Sequence, residues 1–185
     1  MRLFIAVDLE GPVAEKVEGL MENLRKIGAD LRFVDSRQVH ITLKFLGEVD
    51  VSRVKGISES IRTALQGIDS FKLSIEGLGY FGSRNSPRVV WLGIGAGKQQ
   101  LAGIMSRLEQ SLAFIRREER ESNPHLTIAR ARTARNSESL VQEIGLHKDV
   151  KAGEVDVKEI KLKQSIAGRE GPEYSDIWVF RLGAS

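Results

Sequence analysis

The 185-residue chain contains no cysteine. Disulfide frameworks, thiolate zinc sites and cysteine nucleophiles are therefore excluded. It also lacks any run of 18 apolar residues, so no membrane-spanning helix is expected. The apolar opening Leu3–Val7 is short and meets acid at Asp8 and Glu10, unlike a signal peptide. With only four prolines, 41% hydrophobic and 29% charged residues, disordered and fibrous classes drop out. Charge is nearly balanced: 28 basic against 25 acidic residues leave +3, which permits a polyanionic partner without demanding one. A cytoplasmic, monomeric globule forming one domain over residues 1–185 is expected.

Histidine is scarce too, with three in the chain. Two of them stand in the same setting: His40-Ile41-Thr42 followed by Leu43-Lys44-Phe45-Leu46, and His125-Leu126-Thr127 followed by Ile128-Ala129-Arg130. Both triplets read as strands, whose side chains alternate between faces. Strict alternation puts His40, Thr42 and Lys44 on one face and Ile41, Leu43 and Phe45 on the other. It likewise pairs His125 with Thr127 and sends Arg130 to the opposite face, unless a bulge intervenes. An imidazole exchanges protons near neutral pH. Two in one cleft can divide the work, one taking a proton from water and the other giving one to a leaving oxygen. The threonine hydroxyls can hydrogen-bond phosphoryl oxygens, and the set needs no metal. His147 lacks a threonine partner and reads as structural.

Elsewhere, apolar spacing predicts strands at 2–8, 31–34, 71–78 and 89–92, and two long ones near 154–165 and 174–182. Helices are expected after Pro12, after Asp50 or Ser52, over 101–115 and over 137–146. Gly79–Pro87 reads as a loop and Arg116–Glu121 as a solvated charged stretch. The pattern strand–helix–strand–strand recurs in each half, which suggests two related lobes about a shared cleft.

Rival motifs fail on detail. Gly93-Ile94-Gly95-Ala96-Gly97-Lys98 lacks the residues a phosphate loop or dinucleotide fingerprint needs, and reads as a strand-to-helix turn. Lys16-Val17-Glu18-Gly19, faintly like a nucleotidyl-transferase lysine motif, sits in an amphipathic helix. No zinc-ligand spacing joins the histidines. Lys44, Arg84, Arg88, Arg130, Arg132 and Arg135 are candidates to line a groove along a phosphate backbone, with Phe45 and Tyr80 as candidate base-stacking residues, although alternation assigns Phe45 to the core instead.

With these residues in view, HITLKFLG and HLTIAR resemble the motifs of the two-histidine phosphoesterases. Within that superfamily the likeness is to the RNA 2′,3′-cyclic phosphodiesterases, also named 2′-5′ RNA ligases. MRLFIAVDL, FVDSRQVHITLKFLG, PRVVWLGI and GPEYSDIWVFRL extend the likeness over nearly the whole chain. One departure is Ala129, where a glycine or polar residue is common. The resemblance implies an α+β fold of two pseudo-twofold-related lobes, each an antiparallel sheet with two helices, around a V-shaped cleft. It implies metal-independent, cofactor-free opening of a 2′,3′-cyclic phosphate at an RNA end, for instance of tRNA halves, to a 2′-phosphomonoester. His125 would then be the proton acceptor and His40 the proton donor. Thr42 and Thr127 would hold the phosphate, and Arg130 would contact RNA. The same cleft run in reverse, with a 5′-hydroxyl RNA end in place of water, would make a 2′-5′ linkage without ATP. The rival from another class is a non-catalytic RNA- or nucleotide-binding module that grips phosphate in the same cleft.

Overall fold

The computed structural model describes residues 1–115, 123–168 and 171–183. Among the described residues nine strands form one antiparallel sheet: β1 (Arg2–Asp8), β2 (Leu31–Phe33), β3 (His40–Glu48), β4 (Phe71–Ser83), β5 (Ser86–Ile94), β6 (Leu126–Ala131), β7 (Lys151–Val157), β8 (Glu159–Ala167) and β9 (Pro172–Arg181). The helices are α1 (Pro12–Arg25), α2 (Val54–Leu65), α3 (Lys98–Ser111) and α4 (Ser137–Leu146). Apolar residues at three- and four-residue steps supply each buried helix face. Examples are Val13, Val17, Met21 and Leu24 in α1, and Leu101, Ile104, Met105 and Leu108 in α3. Pro12 occupies the first turn of α1, where its missing N–H costs nothing. No helix among the described residues is long and apolar enough to cross a membrane.

Strand order is β7-β4-β5-β6-β3-β1-β8-β9, with β2 added beside β6. At the middle, β3 and β6 meet through the single pair Ile41–Leu126. That seam divides the sheet into a five-stranded lobe (β7, β4, β5, β6 and β2) and a four-stranded one (β3, β1, β8 and β9). Helices α1 and α4 pack on the β6 lobe, α2 and α3 on the β3 lobe. The expected α+β architecture of two lobes with two helices each is what the chain adopts. The lobes are not the two halves of the sequence, however. Strands β1 and β3 join β8 and β9, so each lobe that carries a histidine is closed by chain from elsewhere.

The sheet is far from flat. In the strand order β7 and β8 lie six spacings apart, about 29 Å in a flat sheet, yet only Lys158 separates them in sequence. Two residues reach about 7 Å, so the lobes must curl toward each other. Hydrogen bonds from Leu182 N to Lys158 O (2.9 Å) and Gly183 N to Ile68 O (2.9 Å) fasten that junction. The expected long strand at 154–165 is thus two strands in different lobes.

The loop expected at 79–87 is a hairpin of β4 and β5 turning at Arg84 and Asn85. Its glycines serve packing as well as turning: a Cβ on Gly79 would meet the Trp91 ring, and Gly82 sits at φ 113 beside the Ser86 carbonyl. Tyr80 stands level with buried Val90 and packs on the core, which removes it as a base-stacking candidate. The charged stretch 116–121 lies outside the described residues.

Candidate active site

The seam decides the site. Ile41 and Leu126 face each other and are fully buried on the helix-covered side, each burial worth about 1.5–3 kcal/mol. Their neighbours in sequence therefore point to the other face. Extending the antiparallel register sets His40 level with Thr127 and Thr42 level with His125. Two triplets from distant chain segments thus form one quasi-symmetric set of two imidazoles and two hydroxyls, all half-buried.

Each imidazole is fixed the same way. His40 Nδ1 lies 2.8 Å from the Gln38 carbonyl and His125 Nδ1 lies 2.8 Å from the Asn123 carbonyl. A carbonyl only accepts, so both Nδ1 atoms carry hydrogen and both Nε2 atoms are left to exchange protons. Aromatic rings hold the edges. Tyr174 meets His40 edge-on at 5.0 Å with Phe4 tilted at 5.0 Å, and Phe81 meets His125 edge-on at 4.9 Å. The Gln38 side chain also accepts from the Tyr174 backbone N–H (3.2 Å), tying β9 to the residues before His40.

Directly after each threonine the strand bulges. In β3, Thr42 pairs with Ala6 and Lys44 with Ile5, leaving Leu43 as the extra residue. In β6, Thr127 pairs with Trp91 and Ala129 with Val90, leaving Ile128 extra. A bulge reverses which face the following residues take. This corrects the expectation for Lys44: it turns into the core, 2% exposed, and pairs with Glu109 of α3. Phe45 turns the other way, 45% exposed, and joins the histidine face near Phe4 at 6.2 Å. At the matching position of β6, Arg130 joins His125 and Thr127 instead of opposing them. No carboxylate among the described residues pairs with it.

Sequence reasoning missed Arg32. Strand β2 pairs with β6 so that Arg32 stands opposite Arg130, a like-charge pairing that sheets normally avoid. Burial raises the pKa of the Tyr174 hydroxyl above its usual value, and the charges of Arg130, Arg2 and Arg32 oppose that shift. Only the β2–β6 pairing brings Arg32 here, so no local signal marks it. Arg84 lies at the hairpin turn; Arg88, Arg132 and Arg135 are exposed.

The two histidines differ in their surroundings. Burial lowers the His40 pKa below the usual value near 6.5, opposed by the Gln38 carbonyl and by Asp8. Asp8 is level with His40 across β1–β3. It binds Lys163 (2.7 Å) and Lys161 (3.0 Å), and both lysines bind Asp176 (2.7 and 3.1 Å). Burial works against the charge on Lys161, but hydrogen bonds to Asp8 and Asp176 outweigh it and raise its pKa. On the other side, continuing the β5–β6 register sets His125 level with Gly93, which has no side chain. A cavity of about 340 Å³ opens there, lined by Trp91, Gly93, Lys98, Asn123 and Lys151 among others.

His147 receives no such role: it pairs with Glu143 at 3.1 Å at the end of α4. Among the described residues no three His, Asp or Glu side chains gather as a metal site. The Gly93–Lys98 segment is the turn from β5 into α3, as its sequence implied.

A two-lobed α+β fold with twin His-x-Thr triplets at the lobe seam defines a phosphoesterase-like class of protein. Within that class the chain belongs to the 2′-5′ RNA ligase superfamily, whose profile matches residues 13–168. It is 36% identical to the RNA 2′,3′-cyclic phosphodiesterase of Methanothermobacter thermautotrophicus over 98% of this chain and 99% of that one. Identity is also 36% to the protein of the same name from Aeropyrum pernix, over 90% and 94% of the two chains. Among solved structures, E. coli LigT in its apo form superposes with a TM-score of 0.77 at 25% identity, covering 98% of this chain and 97% of that one. LigT has also been crystallised with 3′-AMP (TM-score 0.74).

Proposed function

We propose that this chain is an RNA 2′,3′-cyclic phosphodiesterase, with residues 1–185 acting as one two-lobed unit. The observation that carries the reading is the seam, because it aligns two Nδ1-anchored imidazoles from separate lobes with two threonine hydroxyls on one open face. The names of the relatives at 36% identity supply the substrate class.

In this mechanism His125 Nε2 takes a proton from water as the oxygen attacks phosphorus, and the P–O3′ bond breaks. His40 Nε2 gives its proton to O3′, leaving a 2′-phosphomonoester. The direction within the pair follows the family resemblance. It asks His40 to be protonated at the start although burial disfavours that charge. The negative charge of a bound phosphodiester offsets that penalty and favours the charged form of His40. Thr42 and Thr127 donate to the non-bridging oxygens. Arg130, with Arg32 beside it, grips the RNA backbone, and Phe45 offers a ring to a base. Two imidazoles supply both proton transfers, so the chemistry calls for neither metal nor cofactor.

A turnover assay with cyclic-phosphate-ended RNA in EDTA tests this. Conversion to a 2′-phosphate end, lost in His40→Ala and His125→Ala variants that stay folded, is the expected result. Tight RNA binding with no turnover would instead leave a non-catalytic binding module.

A further inference from the structure

We propose that Asp8 is a positioning residue for the reaction: it acts through His40, and its charge makes that histidine, of the two, the one that carries the proton for the leaving oxygen. This rests on the phosphodiesterase reading above. Both imidazoles have the same Nδ1 anchor to a carbonyl, so the anchor does not select acid from base. The charge opposite each ring does.

Backbone geometry brings Asp8 to His40. Leu9 N donates to Val39 O at 3.1 Å, which makes Leu9–Val39 a hydrogen-bonded pair continuing the β1–β3 ladder. The next pair along, Asp8–His40, is then of the non-hydrogen-bonded kind, whose Cα atoms stand only about 4.5 Å apart with side chains close together. The register runs without a shift from Asp8–His40 to Ala6–Thr42, so the carboxylate and the imidazole share one face.

The remaining neighbours of the ring sort by charge. Thr42, Thr127, Phe4 and Tyr174 bring none at neutral pH. From β8, Lys163 and Lys161 bind Asp8; Asp176 of β9 binds both lysines, and Glu159 binds Lys161. From β6, His125 stands across the seam with Arg130 further along the strand. Of the two carboxylates in the cluster, Asp8 is the one level with the ring. Burial acts most strongly against the imidazolium; the Gln38 carbonyl and Asp8 favour it, and Lys163 opposes it. The residues level with His125 are Gly93 and Thr42, neither charged. Beyond Gly93, Glu76 and Asp149 share their cavity with Lys98, Lys148 and Lys151. That side suits a base that starts neutral.

The test reads the proton on His40 first directly and then in the kinetics. NMR follows the histidine titrations, and kcat/KM for a cyclic-phosphate-ended oligoribonucleotide is measured across pH, in wild type, Asp8→Asn, Asp8→Glu and Lys163→Gln. Asp8→Asn should move the His40 titration down by about one pH unit, the usual effect of losing an adjacent opposite charge, and Lys163→Gln should move it up. His125 stays in place in both. At pH above both titrations, kcat/KM follows the share of His40 still protonated, so Asp8→Asn falls about tenfold there and Lys163→Gln rises. At pH below both it follows His125 alone, and the two variants stay within about twofold of wild type. Asp8→Glu, which keeps the charge, returns the His40 titration to within about half a pH unit of wild type. A fall of equal size at every pH with the His40 titration unmoved means that Asp8 only holds the fold, and overturns the inference. So do shifts of the same sign in Asp8→Asn and Lys163→Gln. If Asp8→Asn does not fold, Lys163→Gln decides alone: an upward shift supports the inference and an unmoved His40 overturns it. These results leave the phosphodiesterase reading standing as long as wild type hydrolyses the substrate. A wild type that does not hydrolyse it overturns that reading and the role of Asp8 with it.

Discussion

The two lobes of this sheet carry the same triplet, the same Nδ1 anchor to a carbonyl two residues upstream, and the same bulge after the threonine. They then diverge. Level with His40 stands Asp8, the hub of a mostly buried four-charge cluster; level with His125 stands Gly93 and open space. One position past the bulge, the β3 lobe buries Lys44 against Glu109 while the β6 lobe buries Ala129. The residue after that is an aromatic in one lobe and a cation in the other. The lesson is that the duplicated part fixes where phosphorus sits. The unduplicated part gives the two sides of that phosphorus different jobs.

The comparison breaks most completely at the imidazoles. His40→Ala and His125→Ala should each lower kcat about 10²–10⁴-fold, the usual worth of one proton-transfer role, with circular dichroism unchanged. A variant that keeps wild-type turnover would remove the paired mechanism. Next in size is Asp8→Ala. It leaves Lys163 with Asp176 alone and Lys161 with Asp176 and the more exposed Glu159 (3.4 Å), and undercompensated charge at this depth should cost about 3 kcal/mol in a denaturant titration. The corresponding Gly93 side has no such cluster to lose.

The bulge pair gives a crossed prediction. Lys44→Ala should cost about 2 kcal/mol of stability, since Glu109 is partly exposed and keeps some solvation. Its KM for RNA should not change. Arg130→Gln should do the reverse, raising KM about tenfold, or ~1.4 kcal/mol, with no shift in melting temperature. It should also reduce the salt dependence of RNA binding by about one ion. Effects of the same kind at both positions would mean that the bulges do not reverse the faces in solution.

The smallest effect is a pH dependence. Burial lowers the His40 pKa in the folded protein, so between that value and the unfolded value near 6.5 the unfolded chain binds more protons. Stability therefore falls as pH drops through this window and levels off below the folded pKa. Melting temperatures should show a slope on the acid side of 6.5 that is smaller in His40→Asn. By NMR, the free protein's His40 should titrate below the usual histidine value.

What the sequence by itself determined is local and periodic. The His-x-Thr triplets announce strands with a polar face, and apolar spacing marks the four helices. Composition removes thiol chemistry. These follow from side-chain alternation and helical pitch, which a chain carries wherever it goes. The tertiary structure alone decided what depends on neighbours. It split 154–165 between two lobes, because hydrophobic alternation says nothing about which edge a strand joins. It turned Lys44 inward and Arg130 outward, because a bulge is set by register against β1 and β5. And it brought Arg32 beside Arg130, because cross-strand pairing obeys geometry that no window of sequence contains.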